Sequence, residues 1–170
     1  RWPIDYDAVI GIWQSVWLEP VHSAHLLSIG SRYGMDAQEL QLTCELSEAF
    51  TGKLTATLKT DTTMLGTMQA DAQGRSEIRL TLAVENPQLW SPETPHLYDL
   101  ELQLVDASAQ LIDQVHSYTG LRELTVSSGQ HCLNGKPLYL RGILDQGYFP
   151  EGWYSPADDQ AIQQDIELTK

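Results

Sequence analysis

Between Leu26 and Tyr118 the chain repeats one pattern, in which short runs alternate an apolar residue with a polar one and turn residues separate each run from the next. Leu40, Leu42, Cys44 and Leu46 alternate with Glu39, Gln41, Thr43 and Glu45. A period of two puts successive side chains on opposite faces, so this run predicts a strand with one dry face and one wet face. Leu54, Ala56 and Leu58 repeat it after Gly52; Ile78, Leu80, Leu82 and Val84 do so after Gly74; Leu100, Leu102 and Leu104 do so after Tyr98. Weaker runs fit Leu26 to Tyr33, Met64 to Gln69 and Leu111 to Tyr118. Seven strands at a spacing of roughly ten residues, with no helical period among them, predict an all-β fold, an immunoglobulin-like antiparallel sandwich.

The long connection in this region, Asn86 to Tyr98, carries three prolines and cannot sit in a central strand. Its Trp90 and Tyr98 are the candidate anchors. Two roles stand open for Trp90: pinning the loop to the sandwich edge, or serving as a platform on which a sugar stacks.

After the sandwich the pattern changes. In Cys132 to Pro156, CLNGKPLYLRGILDQGYFPEGWYSP, the pair Asn134-Gly135 readily supplies the positive φ angles of a two-residue hairpin. Leu138 to Leu144 is apolar at nearly every position, which predicts a strand covered on both faces, as in parallel sheets. The loop that follows mixes Asp145, Gln146 and Glu151 with Tyr148, Phe149, Trp153 and Tyr154, the composition of a ligand-contacting loop. Ser155-Pro156-Ala157-Asp158 then reads as a helix start, with Ser155 as N-cap and Pro156 at the first helical position. At the other end, Ile12, Val16 and Leu18 interleave with Trp13 and Trp17 before Pro20, which predicts a strand and a linker.

Composition narrows the function classes. A formal charge of −13 leaves no basic stripe for phosphates, which disfavours nucleic acid and anionic membranes as partners. No apolar run approaches ~20 residues, so no membrane span is expected. The start Arg1-Trp2-Pro3 resembles neither a signal peptide nor an initiator, and the closing strand, loop and helix cannot bury their own faces; both suggest a piece of a longer protein. Cys44 and Cys132 are expected to be free thiols. The five histidines are too scattered for a zinc site, and neither metal nor cofactor is expected.

Four stretches, in this order, are similar to glycoside hydrolase family 2, the group of β-galactosidases, β-glucuronidases and β-mannosidases: GIWQSVWLEPV at 11–21, LWSPETPHLYDLELQL at 89–104, YTGLRELTV at 118–126, and the 132–156 stretch. The resemblance implies three parts: the end of a jelly-roll sugar-binding domain over 1–21, the sandwich over 22–120, and the opening hairpin, strand and helix of a (β/α)8 barrel over 121–170. It further implies a retaining β-glycosidase that acts on a carbohydrate with two glutamates, both lying beyond Lys170, so that no catalytic residue is expected within the chain. Asp145, Gln146 and Trp153, after the first barrel strand, would line the sugar pocket in the whole enzyme. Where the family resembles G-x-N-R-H, this chain has Gly142, Ile143, Leu144, Asp145 and Gln146. The opposing idea, that Asp145 and Glu151 are themselves the catalytic pair, asks a lone loop for a positional tolerance it cannot hold. A reading from another class is a carbohydrate- or protein-binding module that uses exposed aromatics such as Trp90 and Trp153. Apolar termini without neighbours would favour self-association.

Overall fold

The computed structural model describes residues 10–170, apart from Trp13 and Glu151. Backbone contacts divide the chain into two units, one spanning Pro20–Tyr139 and one that holds Leu140–Lys170.

The first unit is built on seven strands: β1 (Leu26–Gly34), β2 (Glu39–Phe50), β3 (Gly52–Lys59), β4 (Met64–Asp71), β5 (Arg75–Ala83), β6 (Tyr98–Asp106) and β7 (Leu111–Thr119). They form two antiparallel sheets, ordered β1-β2-β5 and β4-β3-β6-β7. All seven strands expected from the alternating runs are present. The dry residues of β2, β3, β5 and β6 form one core between the sheets, with Leu40, Leu42, Cys44, Leu54, Ala56, Leu58, Leu102 and Leu104 fully buried. Register follows from that burial, because slipping β2 by one residue against β5 would turn Leu40, Leu42 and Cys44 to water. Burying each leucine contributes roughly 1.5–3 kcal/mol of hydrophobic free energy.

The chain crosses from one sheet to the other between β2 and β3, and there Gly52 lies so close to β6 that a Cβ would sit 2.2 Å from the Val105 carbonyl oxygen. At the other edge the sheets are stitched by side chains. The Leu26 amide donates to Asp113 Oδ2 at 2.8 Å, and the hydroxyls of Ser31 and Thr119 share a hydrogen bond of 2.9 Å. The first of these occupies a backbone N–H that the edge strand β1 would otherwise offer to another chain.

Past β7 come three short strands, β8 (Leu124–Ser127), β9 (Gln130–Leu133) and β10 (Lys136–Pro137), in the order β10-β9-β8. Both connections are two-residue turns with positive φ at each position, Ser128-Gly129 (51° and 76°) and Asn134-Gly135 (50° and 73°). The Asn134-Gly135 hairpin is where the sequence predicts it. Its second strand is only two residues long, ending where the Leu138 amide donates to the His131 carbonyl oxygen.

Three local expectations require correction. Leu138 to Leu144 forms no strand, and Tyr139, Leu140, Ile143 and Leu144 are exposed. A strand of that type forms only when neighbouring strands take its backbone groups and cover both faces, and no described residue does so. The strand expected within 11–21 is likewise not formed among the described residues, and Ile12, Val16, Trp17 and Leu18 are exposed; Trp13 lies outside the described residues. The last element, α1 (Asp159–Thr169), begins later than its sequence suggests. Asp158, in an extended conformation, is the N-cap, and its carboxylate accepts from the Ala161 amide at 2.9 Å. Ser155 instead lies in a turn, its amide donating to the Gly152 carbonyl, and the first helical turn is capped three residues later by Asp158, so Pro156 precedes the helix.

Candidate functional site

Asp145, Gln146 and Trp153 lie in the second unit, on the loop between the irregular 138–144 segment and α1. The loop is held by its own short-range bonds. Asp145 Oδ1 accepts from the Gly147 amide at 2.7 Å, an Asx turn that Gly147 completes at φ 63°. Phe149 and Trp153 then exchange both backbone hydrogen bonds, at 2.7 and 2.9 Å. Trp153 is held at φ 58°, a left-handed conformation unusual for an aromatic residue. Gly152 is obligatory, since a Cβ there would lie 1.8 Å from the Ser155 carbonyl oxygen. Tyr148 meets Trp153 and Tyr154 edge-on, with ring centroids 5.6 and 5.5 Å away.

The loop therefore presents an aromatic cluster beside a turn-forming carboxylate. Asp145 and Gln146 are exposed and Trp153 is partly so; no hydrogen bond joins Asp145 to Trp153. Glu151, the other half of the alternative catalytic pair, lies outside the described residues.

A second constellation, in the first unit, brings three of the sequence motifs to one joint. The Trp90 amide donates to the Leu121 carbonyl at 2.9 Å, and the Trp90 carbonyl accepts from Asn134 Nδ2 at 3.0 Å. Asn134 Oδ1 in turn accepts from the Glu123 amide at 3.0 Å, while the Asn134 amide donates to the Glu123 carbonyl at 2.9 Å. The Arg122 guanidinium stacks over the Trp90 ring, 4.4 Å from its centroid. Gly120 allows this approach, for a Cβ there would lie only 3.1 Å from the indole. Trp90 thus takes the pinning role of the two left open by the sequence, with a guanidinium on its ring. Tyr98, the other anchor, is buried, and its hydroxyl accepts from the Gln88 amide at 2.8 Å.

Sequence reasoning reached Trp90 and the Asn134-Gly135 turn but missed that Gly120, Arg122 and the Asn134 amide close on them. The one available signal was that all of them fall inside the motif stretches. Ionisable groups in this unit reinforce the structure. Burial, with smaller contributions from Tyr98 and Glu123, raises the pKa of Tyr33, whose hydroxyl donates to the Val84 carbonyl at 3.2 Å. Burial pushes the Cys44 thiol up to about 11, so it is neutral and inert at neutral pH. Both cysteines are free and buried, as their separation in sequence suggests.

Comparison with solved structures places the fold first. A β-glucuronidase from Ruminococcus gnavus, solved with D-glucaro-d-lactam, superposes with a TM-score of 0.69 at 17% identity, over 87% of this chain and 24% of that one. The β-glucuronidase of Lactobacillus rhamnosus gives 0.68 at 20% identity, over 86% and 24%. The architecture is therefore that of a β-sandwich segment found within glycosidases. Sequence decides the family: the profile of the glycosyl hydrolases family 2 matches residues 28–122, and the chain belongs to that family. A β-galactosidase of Erwinia tasmaniensis is 34% identical over 177 aligned residues, covering 94% of this chain and 17% of that protein. One from Lactococcus lactis is 38% identical over 89 residues, covering 52% and 9%. The chain thus spans about a sixth of the length of the Erwinia relative.

Proposed function

We propose that the chain works within a retaining β-glycosidase, as the sandwich that supports the catalytic domain, and that the whole enzyme hydrolyses O-glycosidic bonds of a carbohydrate. In this reading 1–21 closes a jelly-roll sugar-binding domain, 22–120 is the supporting sandwich, and 121–170 opens the barrel. The observation that carries it is the alignment with a β-galactosidase along 94% of this chain. The joint at Trp90, Arg122 and Asn134 supports it in physical terms. It ties the exit of β7 to the 84–97 connection and to the following hairpin, so the chain leaves the sandwich in a fixed direction. A support between domains requires such a fixed exit.

The chemistry itself needs two carboxyl groups about 5 Å apart, one to protonate the leaving oxygen and one to attack the anomeric carbon. These are assigned to glutamates outside this chain. Asp145, Gln146 and Trp153 are assigned to the wall of the sugar pocket in the complete barrel, where the partly exposed indole would face the ring and Asp145 its hydroxyls. The apolar side chains exposed on α1, Ile162, Ile166 and Leu168, make self-association of the 170-residue chain the expected behaviour in solution.

The test is hydrolysis of aryl β-galactosides and β-glucuronides by the 170-residue chain and by the full natural polypeptide that contains it. The chain alone is expected to be silent and the full polypeptide active. Turnover by the chain alone, or a full polypeptide inactive on every β-glycoside, would overturn the proposal.

A further inference from the structure

The chain has two asparagines, Asn86 and Asn134, and only one of them can react with its own backbone. Asn86 precedes Pro87, which has no N–H to act as a nucleophile. Asn134 precedes Gly135, whose amide no side chain screens. Gly135 sits exposed in the β9–β10 turn at φ 73°, and a Cβ there would meet nothing within 4 Å. Its amide donates to no group among the described residues. The nucleophile for deamidation is therefore free, but the group it would attack is held. Asn134 Nδ2 donates to the Trp90 carbonyl and Oδ1 accepts from the Glu123 amide, both at 3.0 Å, so each end of the carboxamide is tethered to another segment. A third bond, from the Asn134 amide to the Glu123 carbonyl at 2.9 Å, fixes the backbone of the same residue. While these bonds hold, the side chain cannot swing onto the next amide of its own chain.

We propose that Asn134 is a deamidation site guarded by the joint at Trp90: it reacts only when the joint opens, and once reacted it cannot re-form the joint. The Gly135 nitrogen gives its proton to solvent base and bonds to Asn134 Cγ; the Cγ–Nδ2 bond breaks, and Nδ2 leaves as ammonia with that proton returned. Water then opens the cyclic imide at either of its carbonyls, so one water is consumed, one ammonia is released, and nothing is oxidised or reduced. Opening at the main-chain carbonyl leaves isoaspartate, which routes the backbone through the side chain and adds a methylene to a two-residue turn. Opening at Cγ leaves aspartate, whose carboxylate has no hydrogen to give to the Trp90 carbonyl. Either product lacks the donor that ties the hairpin to the 84–97 connection. The inference goes beyond the glycosidase reading and does not depend on it, since every group involved lies within the Pro20–Tyr139 unit.

The test is to age the 170-residue chain at mildly alkaline pH, folded and in urea, and to follow by mass spectrometry the amide-to-acid gain on the peptide that holds Asn134. Fragmentation of that peptide tells isoaspartate from aspartate. The urea-unfolded chain should gain the mass at Asn134 and not at Asn86. Each side-chain bond should slow the folded chain about fivefold, together about 30-fold, because reaction tracks the open population. Arg122→Gln, which strips the guanidinium from the Trp90 ring, should speed the folded reaction about threefold. If that variant fails to fold, low urea added to the parent carries the test. The rate should then rise with a slope well below that of global unfolding, because only the joint has to open. The deamidated fraction, separated by ion exchange, should unfold at lower urea than the parent. Equal rates in the folded and unfolded chains would overturn the proposal, as would an unreactive Asn134 in urea or a urea slope equal to that of global unfolding. So would a folded Arg122→Gln protein with an unchanged rate, or a deamidated fraction as stable as the parent.

Discussion

Replacing Asn134 with alanine tests the joint at its most connected atom pair. The side chain makes two hydrogen bonds to backbone, Nδ2 to the Trp90 carbonyl and Oδ1 from the Glu123 amide, each 3.0 Å long. Each contributes about 1 kcal/mol net, and the part-buried partners it leaves behind are costly to strand. Alanine at φ 50° adds about 1 kcal/mol, because its Cβ crowds the backbone in a region that asparagine tolerates through local hydrogen bonding. The expected loss is therefore about 3 kcal/mol, a large share of the stability of an ordinary domain. Urea unfolding followed by tryptophan emission reads it, since Trp90 is a direct partner.

Asn134→Gly separates the contributions: the φ penalty disappears and about 2 kcal/mol should remain. Asn134→Asp keeps an acceptor for Glu123 but turns a carboxylate toward the Trp90 carbonyl. Its deficit should shrink as the pH falls below the carboxylate range, where a protonated oxygen can again donate. An Asn134→Ala protein within about 0.5 kcal/mol of the parent, or an Asn134→Gly protein as stable as the parent, would refute the reasoning.

Three further outcomes follow from the same structure. Gly52→Ala should cost several kcal/mol and block folding of the sandwich at 37 °C, because the clash at 2.2 Å is with the rigid Val105 carbonyl; circular dichroism of the purified variant reads this directly. Leu102→Ala, at a fully buried position of β6, should lower stability by about 2–5 kcal/mol in urea unfolding, with the size of the cavity deciding where in that range it falls. Cys44 imposes an alkaline limit: its folded pKa lies above the unfolded value, so its contribution is intact below pH 9.0 and lost as the pH rises through about 11. Two pH units at ~1.4 kcal/mol each make this roughly 3 kcal/mol, with Tyr33 adding to the slope at higher pH, and Cys44→Ala should flatten the stability curve between those pH values.

The strands were legible because each reports a local fact. A side chain every second residue faces the core, and a run such as Leu40, Leu42, Cys44, Leu46 can hide its apolar atoms only one way round. The Asn134-Gly135 turn was legible for a similar reason, since few residue pairs accept two positive φ angles. Ser128-Gly129 carried the same kind of signal more weakly and makes the same turn.

What alternation cannot encode is which groups meet across sequence separations. Leu138–Leu144 has the composition of a buried strand and remains exposed, because strand formation is decided by neighbours and not by the run itself. Ser155-Pro156 has the pattern of a helix start and yields to Asp158, because Ser155 is drawn into a turn with Gly152 and the Asp158 carboxylate accepts from the Ala161 amide. Asn134 was readable as a turn residue but not as the bridge between Trp90 and Glu123, 44 and 11 residues away. In this protein the sequence by itself determined the sandwich, through the two-residue period of burial. Only the tertiary structure decided the joint at Trp90, because it exists only where distant segments close on one another.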